Sequence, residues 1–140
     1  NDFDSYANSY DALKKACKFT TKTIKSNCKR FRYAYVHIKE TDIPGHDNKP
    51  LEKKTMLEYL DNTLFNFLRK FAPPNGVKVV VTGDHSTPCK LKAHSADPVP
   101  VLFYNGSIPK ERQFNEKMAR RGPLGSMKGE ELLKKVEFVK

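Results

Sequence analysis

Leu51–Thr82, with the sequence LEKKTMLEYLDNTLFNFLRKFAPPNGVKVVVT, is the stretch that decides the fold. Its first part, Leu51–Phe71, repeats apolar residues at helical spacing and predicts one long amphipathic helix. The predicted apolar face consists of Met56, Leu57, Leu60, Leu64, Phe67 and Leu68. Pro73-Pro74 end this helix, and Gly76 opens a strand at Val77–Thr82, whose apolar run predicts burial on both faces. A long helix that leads into a buried strand is typical of the crossover unit of a parallel sheet.

The flanking sequence extends this alternation of helices and strands. Before the central stretch, the patterns predict a helix at Asp4–Lys29, a strand at Arg32–Lys39 and a loop at Glu40–Pro50. After it they predict a loop at Gly83–Asp97, an edge strand at Pro98–Tyr104, helices at Lys110–Arg121 and Glu130–Lys135, and a turn at Gly122–Gly125. We therefore expect an α/β fold, a mostly parallel sheet flanked by helices, in a single domain over residues 1–140.

Composition limits the class of protein. The chain has 140 residues, of which 38% are hydrophobic, and no apolar run reaches the roughly 20 residues that cross a bilayer. Three cysteines and no visible secretory signal fit a reducing compartment, so we expect a cytoplasmic protein without membrane contact. The 26 basic residues against 16 acidic ones give a net charge of +10, which favours anionic partners. Much of that excess is lysine scattered along predicted helices, as on an ordinary solvated face.

Histidines and aspartates gather in the two loops that follow the first two predicted strands. Asp42 and His46 lie in the first loop, and Asp84, His85 and His94 lie in the second. Sites of parallel α/β sheets form at the carboxyl ends of strands, so we expect these five side chains to share one edge. Carboxylate and imidazole together suit a divalent ion such as Mn, Fe, Co or Zn. Five candidate ligands exceed the needs of one open site and indicate parts of two, able to clamp a phosphoryl group.

His37 is interpreted differently, because it falls within a predicted strand. A histidine there is more often a hydrogen-bonded core residue than a ligand. Ser86 and Thr87 beside the second pair of candidate ligands are expected to shape their loop through local hydrogen bonds.

Three linked motifs make the sequence similar to a known family. Thr82–Cys89 (TGDHSTPC), Lys92–Val101 (KAHSADPVPV) and Val36–Asp47 (VHIKETDIPGHD) resemble the cofactor-independent phosphoglycerate mutases of the archaeal type, within the alkaline-phosphatase superfamily. Phe114-Asn115-Glu116 and Gly122–Gly125 resemble the C-terminal pattern of that family.

The resemblance implies an isomerase that interconverts 3-phosphoglycerate and 2-phosphoglycerate in glycolysis and gluconeogenesis. Such an enzyme works through a phosphoserine and two metal ions, without an organic cofactor. The family pattern assigns Asp42, His46 and His94 to one ion and Asp84 and His85 to the other, with Lys39 as a candidate phosphate contact. Manganese is the preferred ion, followed by cobalt, zinc and magnesium.

One departure from the family is large. Nothing here resembles the strand that carries the nucleophilic serine, or the inserted domain that helps to hold substrate. Ser5, Ser86, Ser95 and Thr87 are not nominated as nucleophiles. The chain therefore resembles the C-terminal part of an alkaline-phosphatase-like domain, with the remaining N-terminal part as its partner. Alone it is expected to be inactive and to expose apolar surface.

Other functions stay open at this point. The first is a different metal-dependent phosphatase or phosphomutase of the same superfamily. The second is a basic nucleic-acid-binding module, which the net charge and Arg120-Arg121 favour but which no standard motif supports. A third is a metal-free remnant that serves as a partner surface.

Overall fold

Two long helical segments pack against each other and carry the core of this computed structural model, which describes residues 2–107 and 113–138. The helices are α1 (Asp2–Asn27), α2 (Ile43–His46), α3 (Pro50–Leu60), α4 (Asn66–Phe71), α5 (Glu116–Ala119) and α6 (Leu132–Lys135). The strands are β1 (Val79–Val81) and β2 (Leu102–Tyr104). Single turns of 3-10 helix lie at Pro73–Asn75 and Gly129–Glu131. No helix in the described ranges is long and apolar enough to span a bilayer.

The core lies between α1 and the helical run that begins with α3. Its buried side chains are Tyr6, Leu13 and Cys17 from one side and Met56, Leu60 and Leu64 from the other. Leu13 and Met56 have no exposed surface, and burial of such a side chain contributes about 1.5–3 kcal/mol. The apolar face predicted for Leu51–Phe71 is thereby confirmed, except at Leu57, which is 48% exposed.

The predicted helix Leu51–Phe71 is confirmed as an almost unbroken helical run with one irregular turn. Asp61–Phe65 forms a single turn of π-helix between α3 and α4. The helical run ends at Phe71, as predicted. Prolines follow it, and Gly76 then adopts a left-handed conformation, with φ of 64°.

The predicted mostly parallel sheet is not confirmed. Within the described part of the chain, the sheet is one antiparallel pair, β1 with β2, in which Val80 lies opposite Phe103. A parallel pair needs a crossover connection, usually a helix, and the segment between these strands contains none. Instead the connecting loop closes on itself through an antiparallel bridge between Ser86 and Ser95. The valines of β1 are half-buried rather than buried on both faces.

The predicted strand Arg32–Lys39 is wrong. This segment forms neither helix nor strand, and it makes no strand pairing with any other described residue. Its aromatic and β-branched residues favour extended backbone, yet a ladder also needs a second chain segment alongside. Consequently Tyr33 and Tyr35 are 54% and 75% exposed, and the Tyr33 ring only reaches the edge of Phe138, 6.4 Å away between centroids.

The C-terminal part forms short helices. The predicted helix Lys110–Arg121 appears as α5, capped by the Asn115 side chain, which accepts a hydrogen bond of 2.9 Å from Met118 N–H. Residues 108–112 lie outside the described residues. The predicted helix Glu130–Lys135 is confirmed as a 3-10 turn that continues into α6, and Val136 after it is buried.

Candidate metal centre

The short helix α2 brings the first two candidate ligands together. The carbonyl of Asp42 accepts hydrogen bonds from the N–H groups of Gly45 and His46, at 2.9 and 3.3 Å. One helical turn places side chains four residues apart on the same face. As a result, Asp42 Oδ2 lies 3.3 Å from His46 Nε2.

His94 reaches the same point from the second loop. The bridge between Ser86 and Ser95, in which Ser95 N–H donates to the Ser86 carbonyl at 3.0 Å, folds that loop back toward α2. His94 Nε2 then lies 3.2 Å from His46 Nε2. Asp42, His46 and His94 each offer one ligand atom, and these three atoms lie within 4.8 Å of one another. No other three histidine, cysteine, aspartate or glutamate side chains in residues 2–107 and 113–138 come together in this way.

The donor set and its spacing fit a divalent ion. Bonds of about 2.0–2.1 Å to a tetrahedral ion place neighbouring ligand atoms about 3.3 Å apart. The separations of 3.3 Å between Asp42 and His46 and 3.2 Å between His46 and His94 match this spacing. His46 Nδ1 lies 3.2 Å from the Lys92 carbonyl, which can only accept, so this nitrogen carries the hydrogen. The neutral ring therefore keeps its lone pair on Nε2, the atom that faces the other donors.

Hydrogen bonding keeps the Asp42 carboxyl in the form a ligand needs. Partial burial acts to raise its pKa, but the hydrogen bond from Thr87 and the electrostatic attraction of nearby His46, His85 and His94 outweigh it. The pKa of Asp42 is therefore lowered, and the group is ionised at neutral pH. Thr87 Oγ1 donates to Asp42 Oδ1 at 2.6 Å, which leaves Oδ2 directed at His46.

Asp84 and His85 lie beside this cluster rather than in it. Asp84 Oδ2 is 3.6 Å from His85 Nε2, and the His85 ring stacks on His94 with 3.6 Å between centroids. The predicted ligand trio and the predicted ligand pair are thus neighbours, in contact through the stacked rings of His85 and His94. The assignment of Asp84 and His85 to a second ion stays a prediction.

His37 and Thr87 lie at the site, although the sequence predicted neither of them there. The prediction that His37 is a core residue is wrong, because its side chain is 42% exposed and its Nε2 lies 3.7 Å from Asp84 Oδ2. Thr87 was expected to make local bonds, yet its hydroxyl reaches Asp42, 45 residues away. Lys39 is exposed, and its role as a phosphate contact stays a prediction.

Contacts behind the donors anchor both loops to the helical core. The Tyr6 hydroxyl of α1 donates to Asp47 Oδ2 at 2.6 Å, next to His46. Lys53 Nζ of α3 donates to the Thr87 carbonyl at 2.9 Å. The carbonyl of Thr87 comes so close to Gly45 that a Cβ there would lie 2.7 Å from it. Contacts of this kind around metal-binding side chains fix the direction in which those side chains point.

One carboxylate and two imidazoles converge from loops beside helices and a small antiparallel sheet, and together they define a candidate metal centre. The chain belongs to the Metalloenzyme superfamily, whose family model matches residues 5–136. This membership and the converging donors together support dependence on a divalent metal.

Relatives of the chain agree with the resemblance seen in its motifs. It is 36% identical over 107 residues to the 2,3-bisphosphoglycerate-independent phosphoglycerate mutase of Pyrococcus horikoshii, a match covering 75% of this chain and 26% of that enzyme. It is 38% identical over 108 residues, 76% of this chain and 26% of the relative, to a probable enzyme of the same name from Thermosipho melanesiensis. The solved structure of the PH0037 protein from Pyrococcus horikoshii matches with a TM-score of 0.74 and 32% identity, covering 86% of this chain and 38% of that one.

These matches confirm the resemblance to archaeal-type mutases and to the fold of their superfamily. The chain spans about a quarter of the length of the curated relatives it matches.

Proposed function

We propose that this chain forms part of a 2,3-bisphosphoglycerate-independent phosphoglycerate mutase and supplies metal ligands to its active site. The main support is that Asp42, His46 and His94 converge in a chain whose relatives are named as such mutases. The proposed reaction interconverts 3-phosphoglycerate and 2-phosphoglycerate, as a step of glycolysis and gluconeogenesis in the cytoplasm.

The candidate ligands divide into two groups in this proposal. Asp42, His46 and His94 hold one ion, and Asp84 and His85 contribute to a second. Bound ions would spread the negative charge that develops on phosphate oxygens during transfer. Manganese is the preferred ion, since mixed carboxylate and imidazole ligands suit it, with cobalt, zinc and magnesium as further candidates. No organic cofactor enters the proposal.

The rest of the active site belongs to a partner segment in this proposal. The nucleophilic serine, the strand that carries it and the inserted domain have no counterpart among these 140 residues, which act as one domain. The isolated chain should therefore give no turnover of 3-phosphoglycerate. Exposure of Tyr33, Tyr35 and Phe31 supports a missing neighbour, because no described part of the chain covers most of their surface.

A segment graft tests the proposal. The part of the chain that matches the Pyrococcus horikoshii enzyme over 107 residues replaces the corresponding segment of that enzyme, and formation of 2-phosphoglycerate is followed with manganese present. We expect the graft to turn over 3-phosphoglycerate, and the grafts with His46→Ala or His94→Ala to lose turnover. An Asp97→Asn graft is the control, since that exposed carboxylate bonds only to Ser95 in the described contacts and should keep activity.

Two results would contradict the proposal. A folded graft without activity would show that this segment does not supply a working metal centre. A graft that hydrolyses or rearranges other phosphate esters, such as a pentose phosphate, and leaves phosphoglycerate untouched would instead favour another enzyme of the same superfamily.

A further inference from the structure

Thr87 occupies an unusual place between the two groups of candidate ligands. Its side chain is 5% exposed, and it is the one buried polar residue in the described part of the chain. Its hydroxyl lies 2.6 Å from Asp42 Oδ1 and 3.0 Å from His85 Nδ1. One oxygen atom thus touches a side chain from each of the two loops.

Hydrogen-bond chemistry fixes the direction of both contacts. A threonine hydroxyl has one hydrogen to donate, while an ionised carboxylate can only accept. The short contact to Asp42 therefore uses that hydrogen, and the hydroxyl oxygen is left as an acceptor toward His85. His85 Nδ1 must then carry the hydrogen, so the lone pair of the neutral ring lies on Nε2. That nitrogen is the one 3.6 Å from Asp84 Oδ2.

We propose that Thr87 is a positioning residue that sets the imidazole tautomer of His85 and the orientation of the Asp42 carboxylate at the same time. Through one hydroxyl it leaves Asp42 Oδ2 and His85 Nε2 available as metal-binding atoms. This link makes the two halves of the candidate centre depend on each other.

The surroundings of Thr87 hold the hydroxyl in this position. Its carbonyl accepts a hydrogen bond of 2.9 Å from Lys53 Nζ, and its methyl group packs closely over Gly45. Because both the backbone and the methyl group are fixed, the hydroxyl has little freedom to leave the two partners.

The first test reads the tautomer of His85 directly. Long-range nitrogen–proton NMR on the 140-residue chain with labelled histidine, at about pH 8.5 where imidazoles are neutral, distinguishes the two ring nitrogens. We expect His85 in the wild-type chain to be protonated at Nδ1. In Thr87→Val the Nδ1-protonated signal should fall and a mixture should appear, whereas Thr87→Ser should keep it. Thr55→Val removes an exposed helical hydroxyl and is the matched control.

The second test measures manganese binding by calorimetry on the same variants, and this part rests on the proposed function. Loss of an outer hydrogen bond to a ligand typically weakens metal binding by roughly 10- to 100-fold, which we expect for Thr87→Val. Thr87→Ser should recover affinity to within a few-fold of wild type, because the hydroxyl is retained.

The two tests fail in distinguishable ways. Wild-type His85 protonated at Nε2 overturns the inference about Thr87, even if a Val variant does not fold. An equal fall of the Nδ1-protonated signal in Thr87→Ser and Thr87→Val also overturns it, since Thr87→Ser keeps the hydroxyl on which the inference rests. An Nδ1-protonated His85 in a wild-type chain that binds no manganese would uphold the role of Thr87 in the tautomer and count against the proposed function.

Discussion

Substitution of Gly45 by alanine should damage the candidate metal centre through packing alone. A Cβ on Gly45 would lie 2.7 Å from the Thr87 carbonyl oxygen and 2.9 Å from the Thr87 methyl carbon. Ordinary contacts begin near 3.4 Å, so the overlap with a backbone atom is severe. The carbonyl has little room to retreat, because Lys53 Nζ holds it at 2.9 Å.

The magnitude follows from two opposing terms. Overpacking of this kind costs about 1–3 kcal/mol. Replacing glycine by alanine within α2 returns up to about 1 kcal/mol through lower backbone entropy. We therefore expect the free energy of unfolding to fall by about 1–2 kcal/mol, or roughly 3–8 °C in Tm for a chain of this length.

Urea unfolding followed by circular dichroism measures this change, with Gly129→Ala as the matched control. A Cβ at Gly129 meets no atom within 4 Å, so only the favourable term applies there. Manganese affinity should fall in Gly45→Ala and not in Gly129→Ala, because displacement of Thr87 disturbs its bond to Asp42. If the two variants unfold at the same urea concentration and bind manganese alike, the close packing of the two loops is refuted.

Three further predictions concern the anchoring of α1, the response to acid and the uncovered surface. Tyr6→Phe removes the 2.6 Å bond to Asp47 and should lower the free energy of unfolding by about 1–2 kcal/mol, measured with urea; no change would show that α1 does not anchor the loop. Because the pKa of Asp42 is lowered in the folded chain, the stabilising effect of the carboxylate is complete above the usual carboxyl range near pH 4 and is lost as pH falls through the folded pKa. The metal-free wild type should therefore lose more stability on acidification than Asp42→Asn, and parallel curves of unfolding free energy against pH would contradict this. Light scattering should detect concentration-dependent self-association of the isolated chain that Tyr35→Lys reduces, since Tyr35 is 75% exposed on an unpaired segment; a stable monomer at all concentrations would argue against it.

The sequence was sufficient to predict the elements that depend on local periodicity. The helix Leu51–Phe71 and its end at the prolines follow from apolar spacing and the missing N–H of proline. The convergence of Asp42 with His46 also follows from local geometry, since one helical turn joins them. His94 lies 48 residues from His46, so no local pattern joins them; its loop placement predicted a shared edge, and the family motifs assigned it to the same ion.

Features that depend on distant partners were not predictable in the same way. The residues of Arg32–Lys39 favour an extended backbone, but a local pattern does not specify which segment would pair with it, and no described segment does. The direction of β2 depends on how the loop between the strands folds back, which no residue pattern in β2 encodes. Thr87 appeared to be a local loop residue, because its contact with Asp42 exists only after both loops converge.

A calorimetric titration of the 140-residue chain with manganese tests the central claim most directly. Wild type should bind saturably, His46→Ala and His94→Ala should each abolish binding at the first site, and Asp97→Asn should bind like wild type. A folded wild-type chain that binds no manganese, or His46→Ala and His94→Ala variants that bind as tightly as wild type, would contradict the claim that these loops form a metal centre.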